Sequence, residues 1–309
     1  YDTIGALKDI DRTSSTFLIE EGIIGQVRRS PLGVVLCMGP FNYPLNETFT
    51  TLIPALIMGN IVLFKPPKHG TLLHYPLLEA FKDSFPAGVI NTLYGRGNSI
   101  IPQLMESGKI DVLTLIGSSK VADKLKKMHP KVNRLRAILG LDAKNAAIVT
   151  ESADLDSAIN ECLLGSLSFN GQRCTAVKRM LVHQSVAKDF TDLVVQKTKA
   201  WTYGDPSDKD NMMGTVIDEA AAKFFESRVN EAVAQGARLL VGNQRRGALF
   251  APTVVDQVRP DMLLVKEETF GPVSPIIQFK DIDEAIHIAN GTVYGLSSGV
   301  CTNRMDYIV

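Results

Sequence analysis

The sequence predicts an α/β fold built from two open α/β domains. Short β-branched runs alternate with amphipathic helical stretches, a pattern typical of mostly parallel sheets covered by helices. The length of 309 residues exceeds one average hydrophobic core, and at roughly 150 residues per domain it favours two domains. We place the first domain at residues 1–141 and the second at residues 142–309.

In the first domain, expected strands and helices follow one another in strict alternation. The expected strands are 33–38, 61–64, 89–94, 112–116 and 135–139. The expected helices are 46–58, 72–81, 99–105 and 120–128. Because glycine readily adopts the left-handed conformation that ends helices, we expect Gly59 to terminate the first of them.

The second domain repeats the alternation around a longer polar loop at residues 203–211. The expected helices are 153–168, 186–200, 218–235 and 282–290, and the expected strands are 179–183, 238–241 and 253–258. Ser152 is the expected N-cap of the first of these helices, and acidic residues follow it. Residues 303–309 resemble the opening of a helix, so we expect a chain truncated at both ends.

Composition excludes several classes of partner. The 33 basic and 33 acidic residues balance, which argues against nucleic acid or an anionic membrane surface as a partner. No apolar run reaches the ~20 residues of a membrane-spanning helix. The four cysteines are scattered without a C-x-x-C pair, which indicates reduced thiols, a cytoplasmic location and no metal site.

Cys174 lies where the long expected helix gives way to a glycine-containing loop, residues 169–175. A thiolate presented there would be a strong nucleophile toward an aldehyde carbon, although a lone cysteine is more often a small buried hydrophobe. Cys37, Cys162 and Cys301 lie within apolar runs, so we expect those three to be buried.

Four segments resemble motifs of the aldehyde dehydrogenase superfamily in order and spacing. They read Gly-Pro-Phe-Asn-Tyr-Pro at 39–44, Val-Leu-Phe-Lys-Pro at 62–66, Asn-Gly-Gln-Arg-Cys at 170–174 and Lys-Glu-Glu-Thr-Phe-Gly-Pro at 266–272. The resemblance covers essentially the whole chain. It implies a Rossmann-like cofactor domain, a catalytic domain, and oxidation of a small aldehyde with a nicotinamide dinucleotide. Members of the superfamily are longer at both ends and form homo-oligomers.

The resemblance also implies the two catalytic groups. Cys174 corresponds to the nucleophile, and Asn42 to the side chain that, with the backbone N–H of Cys174, donates to the developing oxyanion. Such an amide donor lowers the barrier by roughly 3–4 kcal/mol. Taken by itself, Asn42 would be interpreted as a turn residue.

Six residues are the expected cofactor-binding set. Lys65 resembles the residue that binds the adenosine ribose, Glu268 the one that holds the nicotinamide ribose, and Phe270 packs nearby. Gly117 and Ser118 end an expected strand and begin a helix, a geometry suited to a phosphate group.

Lys68 is the sixth residue, and it bears on the choice of cofactor. In the superfamily this position, three residues after Lys65, often holds glutamate in NAD users. A lysine would attract an added phosphate instead, so we expect NADP, with NAD as the alternative.

The substrate class is suggested by Tyr43 and Arg173. Tyrosine in the first motif and arginine immediately before the cysteine resemble the non-phosphorylating glyceraldehyde-3-phosphate dehydrogenases. In those enzymes the two residues bind the substrate phosphate, and guanidinium suits that role through charge-assisted contacts.

The chain departs from the superfamily where a general-base glutamate is common. When residues 139–145 are aligned on the Lys-Asn pair, Gly140 occupies the glutamate position, and Asp142 and Ala143 replace two glycines. That glutamate activates the water that hydrolyses the thioester, a contribution of roughly 10²–10⁴ in rate.

Three alternatives remain open for release of the acyl group. Asp142 could replace the missing base, or the chain could bind dinucleotide without efficient turnover. Coenzyme A could also accept the acyl group, an alternative that we rank lower because Tyr43 and Arg173 indicate a phosphate-bearing substrate.

The four cysteines should differ in their reactivity toward an alkylating reagent. We expect iodoacetamide to alkylate Cys174 well ahead of Cys37, Cys162 and Cys301, because a nucleophile must be accessible and readily ionised. Peptide mass spectrometry after brief labelling would measure the order. Labelling of Cys174 at the rate of the other three would contradict its role as nucleophile.

Overall fold

The computed structural model describes residues 2–308, and it divides the chain into two compact units. The units are Tyr1–Leu141 and Asp142–Val309. Each combines a mainly parallel sheet with helices, which confirms the α/β class. Among residues 2–308, no helix combines the length and apolar character needed to cross a membrane.

The first unit is built on a five-stranded sheet. Its helices are α1 (Asp2–Ser15), α2 (Asn46–Ile57), α3 (Leu77–Ser84), α4 (Gly97–Glu106) and α5 (Ser119–Met128). Its strands are β1 (Leu18–Glu20), β2 (Ile23–Gly25), β3 (Val34–Met38), β4 (Ile61–Lys65), β5 (Ile90–Thr92), β6 (Val112–Ile116) and β7 (Arg136–Gly140). The first two strands form a separate antiparallel hairpin.

Strand order in this sheet is β5-β4-β3-β6-β7, with every pairing parallel. The order changes direction between β3 and β6, and open α/β sheets bind ligands beside the carboxyl ends of the strands at such a switch point. Leu36 and Leu113 pack in the core on one face, and Val62 and Phe64 on the other. These buried faces explain why the strands are continuous apolar runs.

One helix of the first unit differs from its prediction. Where residues 72–81 were expected to form a single helix, the chain makes a 3-10 turn, Thr71–His74, and then α3. Pro76 separates them because it lacks an N–H and fits best beside the start of a helix. Gly59 follows α2 in the left-handed conformation, as expected.

The second unit is built on a six-stranded sheet. Its helices are α6 (Leu155–Leu167), α7 (Ala187–Lys199), α8 (Glu219–Ala234), α9 (Leu263–Lys266) and α10 (Ile282–Asn290). Its strands are β8 (Ala146–Val149), β9 (Arg179–His183), β10 (Arg238–Val241), β11 (Arg245–Arg246), β12 (Leu249–Phe250), β13 (Thr253–Asp256), β14 (Val273–Phe279) and β15 (Ser298–Cys301). In the six-stranded sheet the order is β10-β13-β14-β9-β8-β15 and only β10 runs antiparallel, while β11 and β12 form a separate antiparallel pair.

Two local predictions for this unit were wrong. The N-cap of α6 is Asp154, whose Oδ1 accepts the Ser157 N–H at 2.8 Å, rather than Ser152. A 3-10 turn, Met305–Tyr307, stands where the sequence suggested the opening of a helix.

The register of this sheet places three connecting segments at one edge. Ala146 of β8 lies opposite Arg179 of β9, and β14 pairs in parallel with β9. The residues that precede β8, β9 and β14 therefore meet at the amino-terminal edge of the sheet.

His74 is a buried imidazole in the first unit, with 0% exposure. Its ring stacks on Phe49 with centroids 6.1 Å apart and meets Phe64 edge-on at 4.9 Å. Burial lowers the pKa of His74, because an apolar site disfavours the charged ring.

We therefore expect the free energy of unfolding to fall as the pH is lowered from about 6.5 toward the folded-state pKa of His74. The unfolded chain takes up a proton in that range while the folded chain resists it, at up to about 1.4 kcal/mol per pH unit for one group. Urea unfolding between neutral and acidic pH would measure this, with His74→Phe losing part of the slope and His69→Gln retaining it. An unchanged slope in His74→Phe would contradict the prediction.

Candidate active site

Cys174 is half-buried in a turn between the 3-10 segment Ser168–Gly171 and β9. The chain reverses sharply before it, since Phe169, Asn170 and Gly171 all have left-handed φ values of 53°, 57° and 65°. Such conformations cost of order 1–3 kcal/mol each for non-glycine residues and need support from their surroundings. Asn170 provides some of it by donating from Nδ2 to the carbonyl of Gly214 at 3.0 Å.

The reversal brings the Cys174 turn against the segment 266–272. A Cβ built on Gly171 would lie 2.3 Å from the carbonyl oxygen of Gly271, so the two backbones touch. Only glycine permits both this approach and the left-handed conformation at that position.

The carbonyl oxygen of Cys174 is held by two donors. Asn145 Nδ2 donates to it at 2.6 Å and Lys178 Nζ at 3.0 Å. Asn145 also donates to the carbonyl of Ala176 at 2.8 Å and accepts the N–H of Ser297 at 3.1 Å. The segment before β8 therefore fixes the backbone of the Cys174 turn.

Glu268 and Phe270 lie at the same cluster. Glu268 Oε1 accepts the N–H of Ala143 at 3.0 Å and forms a buried ion pair with Lys178. Lys178 Nζ stands 5.4 Å from the Phe270 ring centroid. Three predicted site residues, Cys174, Glu268 and Phe270, are thus brought together around Lys178.

Two further cations lie in this region. Burial lowers the pKa of Lys144 to about 7, with the charges of Lys178 and Arg179 acting in the same direction, and Lys144 Nζ donates to Thr269 Oγ1 at 3.0 Å. Burial also lowers the pKa of Arg179 to about 10, while its guanidinium donates to three backbone carbonyls. These groups rigidify the segments on either side of the turn.

Arg173 points toward the end of α6. Its Nη2 donates to the carbonyls of Gly165 at 2.8 Å and Leu164 at 3.3 Å, and its guanidinium carbon lies 5.8 Å from the Phe169 ring centroid. Cations suit the carbonyl end of a helix dipole. In this arrangement the guanidinium caps α6.

The other cysteines differ from expectation at one position. Cys37 and Cys162 are buried, as predicted, whereas Cys301 is half-buried. The prediction for Cys301 was wrong because it ends β15, a strand at the edge of the sheet. A hydrogen bond with Cys162 lowers the pKa of Cys301, so among the other three cysteines this half-buried thiol is the main background in labelling experiments.

In the first unit, the predicted residues lie beyond the carboxyl ends of the central strands. Asn42 and Tyr43 are half-buried in the loop from β3 to α2. Lys65 ends β4 opposite Met38 of β3, and its Nζ donates to the carbonyl of Pro66 at 2.8 Å. Burial lowers the pKa of Lys65.

Lys65 and Lys68 line one cavity of about 770 Å³ together with Arg96. The start of α4, including Gly97 and Ser99, also lines this cavity. Three cations beside a helix start, in a cavity larger than a nucleoside phosphate, fit a dinucleotide that carries an extra phosphate.

Gly117 and Ser118 connect β6 to α5, as predicted. Ser118 caps the helix by accepting the Val121 N–H at 3.4 Å, and the Gly117 N–H donates to the carbonyl of Gly140 at 2.9 Å. Gly140, expected from the sequence to occupy the general-base position, ends β7 opposite Ile116 and is therefore part of the sheet.

Sequence reasoning missed Asn145, Lys178 and Arg96. Lys178 lies only four residues after Cys174, and Arg96 stands between two glycines before a helix, so each carried a local signal. Asn145 carried none, because its donation to Cys174 depends on the pairing of β8 with β9.

Comparison with known proteins agrees with this geometry. Residues 3–309 match the aldehyde dehydrogenase family. The chain is 39% identical over 285 residues to an NADP-dependent glyceraldehyde-3-phosphate dehydrogenase of Streptococcus equinus, covering 91% of this chain and 58% of that protein. It is 36% identical over 284 residues to a lactaldehyde dehydrogenase of Methanocaldococcus jannaschii, covering 90% and 60%.

Among solved structures, the fold resembles an NADP-dependent glyceraldehyde-3-phosphate dehydrogenase from Bacillus halodurans C-125 complexed with NADP. The TM-score is 0.90 at 37% identity, over 99% of this chain and 65% of that one. The chain spans about 60% of the length of the curated relatives it matches. Because the match extends over nearly all of its residues, the chain belongs to the aldehyde dehydrogenase family.

Proposed function

We propose that this chain carries the machinery for NADP-dependent oxidation of an aldehyde, with Cys174 as nucleophile and glyceraldehyde 3-phosphate as substrate. The observation that carries the proposal is the anchored Cys174 turn, where Glu268 and Phe270 lie at the same cluster. The strain before Cys174 and the two donors to its carbonyl support a fixed, accessible thiol.

In the proposed reaction, the Cys174 thiolate adds to the aldehyde carbon and forms a thiohemiacetal. Negative charge develops on the former carbonyl oxygen, and Asn42 with the backbone N–H of Cys174 supplies the donors for it. Loss of a hydride converts the thiohemiacetal into a thioester on Cys174, and hydrolysis releases the acid.

When bound, the nicotinamide dinucleotide supplies the hydride acceptor. Lys65, Lys68, Gly117 and Ser118 are proposed to bind its adenosine and phosphate groups, and Glu268 with Phe270 its nicotinamide side. The cations that line the cavity at Lys65 favour a cofactor with an extra phosphate, and the similarity to NADP-dependent glyceraldehyde-3-phosphate dehydrogenases supports the same choice.

The substrate phosphate is proposed to bind Tyr43 and Arg173. Support comes from the similarity to glyceraldehyde-3-phosphate dehydrogenases. Arg173 would have to share its guanidinium between the end of α6 and the substrate, and its five N–H donors allow that.

Acyl release is the weakest step of the proposed cycle, since Gly140 brings no carboxylate. Asp142 is our candidate replacement, because this carboxylate lies two residues after Gly140, in the segment before β8 whose Asn145 holds the Cys174 turn. A second candidate function follows from Gly140: a chain that binds dinucleotide and acylates Cys174 but turns over poorly. Transfer of the acyl group to coenzyme A remains a third, lower-ranked outcome.

The proposed activity is tested by NADPH absorbance with glyceraldehyde 3-phosphate and no inorganic phosphate. We expect a signal that Cys174→Ala lowers by several orders of magnitude and that Cys301→Ala leaves intact. We also expect NADP to bind more tightly than NAD. Equal rates in the wild-type and Cys174→Ala chains would refute the nucleophile, and equal affinities would refute the cofactor preference.

Restoring a carboxylate at Gly140 tests the missing base. A Cβ there would lie 3.2 Å from Ile116 Cγ1, a contact that requires the isoleucine side chain to move by a few tenths of an ångström. We expect Gly140→Glu to raise steady-state turnover by roughly 10²-fold or more, as positioned general bases do, and Gly140→Gln to give no comparable gain. Equal turnover in Gly140→Glu and Gly140→Gln would show that the lack of a base at this position does not limit the rate of acyl release.

A further inference from the structure

Lys178 is a buried cation with no role in the proposed reaction. The residue is 4% exposed, and its ammonium donates to the Cys174 carbonyl at 3.0 Å. It also pairs with Glu268 and faces the Phe270 ring at 5.4 Å. A single side chain therefore links the nucleophile turn to the segment that carries the expected nicotinamide clamp.

The pair is well satisfied. Side-chain exposures are 5% for Lys178 and 14% for Glu268, and the carboxylate also receives the Ala143 N–H at 3.0 Å. Burying two charges requires close geometry and additional hydrogen bonds, and both are present. Apolar side chains could hold the Cys174 turn against the Glu268 segment equally well. The presence of a buried ion pair there therefore needs a reason other than stability.

The electrostatic surroundings suggest one. Burial lowers the pKa of Lys178, and the negative charges of Glu268, Cys174 and Asp142 oppose that effect, with Glu268 the largest. Coulomb interactions act equally on both partners. The ammonium, 3.0 Å from the Cys174 carbonyl oxygen, therefore places a positive charge beside the backbone of the residue that the proposed function makes the nucleophile.

We propose that Lys178 is a positioning residue, which ties Glu268 to the Cys174 turn and keeps a positive charge at that turn. The inference rests on the proposed function, in which Cys174 is the nucleophile. It adds the means by which the chain favours the thiolate in a turn that contains no histidine. The carboxylate of Glu268 prevents the cation from being drawn away from the turn.

The test measures the rate of Cys174 alkylation by iodoacetamide against pH, without cofactor, in a Cys301→Ser background. We expect Lys178→Met to move the midpoint of the rate profile upward by about one pH unit, since a neighbouring cation has been lost. Lys178→Arg keeps the charge and should keep the midpoint. Lys188→Met removes an exposed lysine, paired with Asp192 at 3.0 Å, and should have no effect.

If Lys178→Met does not fold, the double variant Lys178→Met/Glu268→Gln takes its place in the test, because it leaves no unpaired buried charge. The expected shift is then upward but smaller. An unchanged midpoint in a folded variant lacking the cation would overturn the proposal, as would equal shifts in Lys178→Arg and Lys178→Met.

Failures of the two proposals are distinguishable. A wild-type Cys174 that reacts no faster than the cysteines of the denatured chain would overturn both the nucleophile and the role of Lys178. A reactive Cys174 whose alkylation rate depends on pH in the same way in wild type and Lys178→Met would overturn only the role of Lys178.

Discussion

The carbonyl oxygen of Cys174 is the point at which the segments of the candidate site are joined. Asn145 reaches it from the segment before β8, and Lys178 from the start of β9. Through Lys178 the same point is tied to Glu268. These segments lead into neighbouring parallel strands at one edge of the sheet. The strand register therefore brings distant stretches of sequence together in one site. The strained reversal before Cys174 is tolerable only because this edge supports it.

The first unit also uses a parallel sheet to position its predicted site residues, but at the carboxyl ends of the strands. Its strands meet at a topological switch point, and Lys65 at the end of β4 contributes to a cavity that also exposes Lys68 and Arg96. Here the carboxyl ends of the strands provide the site, whereas in the second unit the amino-terminal edge does. In each unit, the predicted site residues are therefore positioned by the strand ends to which their segments connect.

Much of the fold could be predicted because periodicity is local. The strands Val112–Ile116 and Arg179–His183 and the helix Ile282–Asn290 match their predicted bounds. Strands β8, β14 and β15 were missed, since short apolar runs without flanking turn signals do not distinguish strand from helix. Motif residues were found because they are contiguous in sequence, whereas Lys178 and Asn145 act through tertiary hydrogen bonds that no spacing encodes. The helix-capping orientation of Arg173 was equally invisible.

The chemistry divides unevenly across the chain. In the proposed reaction, formation of the thioester would use Cys174, Asn42 and the proposed cofactor-binding residues, whereas its hydrolysis would need a base that Gly140 does not supply. The most direct measurement is mass spectrometry of the Cys174 peptide after brief incubation with glyceraldehyde 3-phosphate and NADP. We expect an acyl adduct that persists on Cys174, because attack and hydride loss outpace hydrolysis. Samples that have formed NADPH but carry no acyl group on Cys174 at any time would contradict covalent catalysis by this residue with slow acyl release.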